Sequence, residues 1–358
     1  MPPSRKTRIR SIDYLKGLLI SCIVFCHAFG PGDAFHAWAY AFVVPAFFFA
    51  SGLFLKVAPP TPAEAVGETK KRFFSLVVPY VLWSLVWLLA WGGLTPKSLA
   101  WLAYASHKGL HLARAISSLW FLPVLFLACA AWAAARLALG RRFVPWVRVA
   151  LGAVAFAAAF LLPRPHIGWP WGADTACCAF GCLVAGNLAA PWVGRLRGIA
   201  SRGAAGALVP LGLAAAALAG SLGWRLNTPP NGYVNVAEAT YGNPFLFLLF
   251  AAAGTSLAVC LSVFLEAVAE GGRARLLRWL EIIGMNTLGI LCIHRFLLRL
   301  LRPWTASLDL PSPVPTLLRA AAALLLSALL SLVLSRLFPP AVGLPFHRRE
   351  TAARRSIR

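Results

Sequence analysis

The sequence predicts an all-α fold: a polytopic integral membrane protein of about ten transmembrane helices, with both termini in the cytoplasm. Three observations predict it. Hydrophobic residues make up 59% of the 358-residue chain and charged residues only 13%, against about 25% charged in soluble domains; the mean hydropathy is +0.73. Apolar runs such as SLVVPYVLWSLVWLLAWGGL (75–94) have the length that crosses a ~30 Å hydrocarbon core as helix. The basic residues are also segregated into alternate connections. The alternating ten-residue strands of a transmembrane barrel are not seen.

The helices are expected near 12–30, 38–55, 74–93, 117–137, 147–162, 174–190, 204–223, 244–266, 280–300 and 316–338. With the N-terminus inside, the first is preceded by Arg5, Lys6, Arg8 and Arg10, and the second returns to Lys56, Lys70, Lys71 and Arg72. The third and fourth return to Arg136, Arg141, Arg142 and Arg148, and the fifth and sixth to Arg195, Arg197 and Arg202. The seventh and eighth return to Arg273, Arg275 and Arg278, and the last two to Arg336 and the basic tail. Most of the 34 basic residues thus fall on one side, the positive-inside pattern. The segment 59–72 reads as a polar cytoplasmic loop, and RLNTPPNGYVNVAEATYGN (225–243) as the most polar outer loop. The expected division is a basic N-terminus (1–11), a membrane domain (12–338) and a basic tail (339–358). No cleavable signal peptide is expected.

The net charge of +23 reads first as loop charge that orients the chain, and alternatively as attraction to anionic lipid or a polyanionic ligand. Nucleic acid is excluded as a partner because the basic residues do not gather in one soluble domain. The eight cysteines lie in apolar spans and read as small hydrophobes, with no metal site expected.

The stretch LKGLLISCIVFCH (15–27) asks for a function. At 100° per residue, Lys16 and His27 lie on one helix face, about 16–17 Å apart along the axis. Ionisable groups at that depth face a cavity or a partner. Two readings stand for each: Lys16 snorkels to the headgroups or meets an anionic substrate, and His27 bonds within the bundle or removes a proton from a hydroxyl. Asp13, one turn before Lys16, either pairs with it or caps the helix.

IDYLKGLLISCIVFCHAF, VVPAFFFASGLFL (43–55), KKRFFSLVVPYVLW (70–83), SLWFLPVLFL (118–127) and IGMNTLGILCIHRFLL (283–298) together resemble the membrane-bound acyltransferase-3 family over residues 11–338. The first stretch is similar to the fucose 4-O-acetylase-like branch, which also carries lysine where the family often has arginine. The resemblance implies a bacterial inner-membrane enzyme. It would move an acetyl or other short acyl group from cytoplasmic acyl-CoA to a hydroxyl of an envelope glycan, glycolipid or polysaccharide, with no permanently bound cofactor. It implies that Lys16 and His27 are functionally required, with His27 as general base or as a transient acyl carrier. Arg72, with Lys71 and Lys70, would hold the donor's phosphates, or they are plain positive-inside charges; Lys16 and Arg72 would alternatively stabilise the oxyanion, with Lys16 then catalytic beside His27. No fused extracellular hydrolase-like domain is expected.

Trp120, Glu238, Tyr241 and His294 are candidates for acceptor binding; for Trp120 and His294, an interfacial aromatic and a structural histidine are the competing readings. Arg295 and Arg299 follow His294 on the same helix. Ser51 beside Gly52 reads mainly as small-residue packing, and Asn286 as a bond across helices. His36, His107, His111, His166 and His347 are assigned no role. The rival function is a polysaccharide or precursor transporter using Lys16 and His27 as substrate or proton sites.

Overall fold

The computed structural model describes residues 9–200, 208–227, 229–308 and 310–345; the far N-terminus and most of the expected basic tail lie outside these. The described residues form fourteen α-helices and no strand, beyond a one-pair bridge of Asn235 with Thr240. In chain order they are α1 (Arg10–Phe29), α2 (Ala34–Tyr40), α3 (Val43–Gly52), α4 (Pro62–Ala90), α5 (Pro96–Tyr104), α6 (His107–Leu112) and α7 (Phe121–Leu139). Then follow α8 (Pro145–Leu161), α9 (Ala173–Ala200), α10 (Leu208–Leu226), α11 (Pro244–Val268), α12 (Ala274–Met285), α13 (Thr287–Ala306) and α14 (Val314–Leu337). Among the described residues seven spans are long and apolar enough to cross a membrane, and α8 and part of α10 are shorter apolar helices. Over the described residues, each of the ten expected segments lies mostly on helix, though only seven spans qualify as long and apolar enough to cross.

The differences from the expected boundaries have local causes. The segment 59–72 is not a loop: α4 begins at Pro62, where Thr61 and Glu64 cap each other's backbone amides. Proline at the first position is already shaped for helix, and the reciprocal cap satisfies two orphan donors. The expected second helix is two, α2 and α3, parted at Ala41 and Phe42. The connection before the fourth expected helix folds into α5 and α6, each started by a hydroxyl cap, Thr95 and Ser106.

Helix α1 stands at the centre and packs against α11, α12, α13, α14, α2 and α3. Its contact with α12 depends on two glycines. A Cβ on Gly17 would overlap Leu280, and one on Gly284 would overlap the Asp13 carbonyl. The two backbones therefore touch, as small residues permit. The same reading holds for Gly52, where a side chain would strike the Leu183 carbonyl on α9. Between α12 and α13 the chain breaks at Asn286 (φ −107°, ψ 18°). There Asn286 Nδ2 donates to the Ile282 carbonyl at 2.8 Å, and its Oδ1 accepts from Ser331 on α14 at 3.0 Å. This is the cross-helix bond the sequence suggested.

Candidate active site

A cavity of about 1160 Å³ follows α1. Its walls include Asp13 and Lys16 in the first turns of that helix, His27 in the last, and Gly30 and Pro31 beyond. From Asp13 to Gly30 that is about 25 Å at 1.5 Å per residue, most of a membrane's apolar thickness. Sequence periodicity placed Lys16 and His27 on one face, and both line this cavity.

At the Lys16 end the walls are Asp13, Lys16, Ser51, Leu76, Asn286, Thr287, Ser335 and Leu344. The Lys16 ammonium lies 6.0 Å from the centre of the Phe54 ring. Ser51 Oγ donates to its own helix at the Phe47 carbonyl, 3.0 Å away. Arg72 sits one turn before the wall residue Leu76 on α4; it is half-buried, while Lys70 and Lys71 are exposed. These three are not part of the cavity wall.

His27 has partners on both ring nitrogens. Its Nδ1 is 2.7 Å from His294 Nε2, and its Nε2 is 2.9 Å from the Tyr40 hydroxyl. His294 Nδ1 is in turn 2.8 Å from the Ile290 carbonyl oxygen, one turn back on α13. His294 is fully buried and stands behind His27 rather than in the cavity wall. Arg295 does line the cavity, and its Nη2 reaches Ser117 Oγ at 3.5 Å.

The far end is a vestibule built by short elements: His36 and Tyr40 of α2, His107 and His111 of α6, Trp120, and Tyr233 with Asn235 to Glu238 of the polar loop. His36 stacks on Tyr40 with ring centres 4.1 Å apart and meets Tyr233 edge-on at 4.6 Å. His107 Nδ1 lies 3.3 Å from Glu238 Oε1. That contact holds the Glu238 carboxyl below its ordinary range, and burial, with His107 beside it, pushes the His111 imidazole down. Sequence reasoning assigned His36, His107 and His111 nothing because no helical register connects them to His27. Their places in the connections before the second and fourth expected helices were the only signal.

Tyr241 does not belong to the cavity. It is 3% exposed and packed between Phe160, Phe247 and the Arg164 guanidinium. The polar loop folds back through Asn227, whose side chain donates to the Tyr241 carbonyl at 2.9 Å, so this tyrosine points into the bundle. Arg299 likewise leaves the site and stacks on Trp87 and Trp91. Asp13, Lys16, Ser51, Trp120, Glu238 and Asn286 share the cavity wall with His27.

A cavity with an imidazole midway, a cation at one end and an acid–aromatic cluster at the other suits transfer of a group between two substrates. No curated protein and no solved structure matches this chain significantly. The family model describing an acyltransferase domain matches residues 9–336, nearly the whole chain and all the cavity walls up to Ser335. The chain belongs to the membrane-bound acyltransferase-3 family and is a multi-pass membrane acyltransferase.

Proposed function

We propose that this acyltransferase moves an acetyl or other short acyl group from cytoplasmic acyl-CoA to a hydroxyl of an envelope glycan, glycolipid or polysaccharide, in a bacterial cytoplasmic membrane. The observation that carries the reading is the cavity that runs along α1 from Lys16, past His27, to Glu238. An acyl-CoA is a polyanion joined to its thioester by a long thin arm. Lys16 would meet the negative groups or polar arm at the cavity's inner end, and Arg72, one turn beyond Leu76, the phosphates at its mouth. The thioester then reaches His27.

The vestibule suits a sugar. Aromatic rings of Trp120 and Tyr233 cover apolar ring faces, and the Glu238 carboxylate accepts from hydroxyls. A sugar hydroxyl beside His27 gives its proton to the ring as its oxygen attacks the thioester carbonyl. The C–S bond breaks, the ester forms, and the proton passes to the departing thiolate. Lys16 is too far along α1 to touch the carbonyl oxygen. Arg295, next to His294 and in the wall, would be the cation that stabilises that oxyanion.

The test is transfer of radiolabel from acetyl-CoA to a crude envelope glycan fraction in proteoliposomes. Wild type should label glycan. Folded His27→Ala should lose about 10²–10⁴-fold of the rate. Equal labelling by both would remove His27 from the chemistry; no thioester consumption with any acceptor pool would remove the acyltransfer from acyl-CoA.

A further inference from the structure

We infer that His294 is a positioning residue that makes His27 a base toward the cavity, by holding the His27 proton on the ring nitrogen that faces away. The inference rests on the acyl transfer proposed above. The tautomers follow from the partners. The Ile290 carbonyl can only accept, so the proton on His294 sits on Nδ1, which donates to it at 2.8 Å. A neutral imidazole carries one N–H, so His294 Nε2 is an acceptor. The atom facing it at 2.7 Å is His27 Nδ1, which must then be the donor. His27 Nε2 is left with its lone pair free, 2.9 Å from the hydroxyl of Tyr40, which donates to it.

The ring geometry agrees. The two imidazoles are 11° from parallel, with centres 5.0 Å apart. That separation is about the 2.7 Å contact plus two ring radii, so the rings meet edge to edge, as a linear hydrogen bond in the ring plane requires. His294 is 0% exposed and outside the cavity wall, so it touches neither substrate. Without it the His27 proton can occupy either nitrogen. In the form protonated on Nε2 the ring offers the acceptor hydroxyl a donor, and abstraction stops. A second-residue lock of this kind is how a buried base keeps one tautomer. Tyr40 occupies the seat on Nε2 that the acceptor hydroxyl takes during turnover.

The experiment compares His294→Phe and His294→Gln in the full-length protein reconstituted in proteoliposomes, with acetyl-CoA and the glycan fraction. Phenylalanine keeps the ring and removes the acceptor; the glutamine amide oxygen can replace Nε2. His294→Phe should lower kcat roughly 10²–10⁴-fold with KM for both substrates unchanged. His294→Gln should stay within about tenfold of wild type. Thioester hydrolysis without acceptor, which needs the same base, gives a second readout with the same order of variants. Undiminished kcat in His294→Phe overturns the inference. So does equal loss in both variants, or a loss that comes with lowered Tm and lost acyl-CoA binding, since either marks a purely structural residue. Wild type that hydrolyses acetyl-CoA but labels no glycan defeats the glycan reading and leaves the His294 comparison to be decided by hydrolysis.

Discussion

The two ends of the cavity are built in different ways. The Lys16 end is made mainly from helices, α1, α3, α4, the α12–α13 junction and α14, locked by backbone contacts at Gly17 and Gly284. The Glu238 end is made from short pieces: α2, α6, Trp120 and the loop around Tyr233. A rigid end suits a donor of fixed chemistry. An end assembled from loops can change its lining without disturbing the bundle, as acceptor specificity requires. Under the proposed reading, the difference teaches that donor and acceptor recognition are separable in this molecule, and mutations should affect one KM at a time.

The sharpest break in that comparison would come from Lys16→Gln. Losing a charge-assisted contact costs about 1.5–3 kcal/mol, so the KM for acyl-CoA should rise roughly 10–100-fold. The KM for the acceptor should stay put, as read by steady-state kinetics in proteoliposomes. A parallel rise in both would show that the two ends are coupled. Glu238→Gln should do the converse, raising acceptor KM about tenfold and leaving acyl-CoA binding unchanged.

Acidity sharpens the same point. The His107 contact lowers the folded-state pKa of Glu238, so the carboxylate stays charged through the ordinary carboxylate range and protonates only below it. Acceptor KM should therefore be flat as pH falls through that range and climb only beneath it. His107→Gln should move the climb to higher pH, because the carboxyl loses the partner that holds its pKa down. The smallest effect belongs to Tyr241→Phe, expected within about twofold of wild type for both substrates, since its ring packs in the core. A large rise in acceptor KM there would return Tyr241 to the site.

Helix periodicity is why the Lys16 end was legible. Lys16 and His27 share a face by angle alone, and the hydropathy of the long runs pointed to the seven spans long and apolar enough to cross a membrane among the described residues. What periodicity cannot carry is contact between distant elements. His294 lies on α13, and only the packing of α13 against α1 brings its Nε2 to His27. The residues of the vestibule, His36, His107, His111 and Tyr233, come together through turns and short helices whose arrangement no local pattern specifies. Tyr241 was misread for the same reason: three residues past Glu238, it follows a left-handed turn at Ala239 (φ 52°) that sends the two side chains to different environments.

The single wall formed by α1 has one more consequence. A helix is stiff, so the interval between Lys16 and His27 is a fixed length, about 16–17 Å along the axis. Under the proposed reading, α1 acts as a gauge for the donor. A thioester with a full-length carrier arm can engage the cation and the base at once. A truncated one, such as an acyl group on a short thiol, meets one or the other. Selectivity for the carrier would then be written in the rise of one helix and would not need a pocket shaped to the acyl group itself.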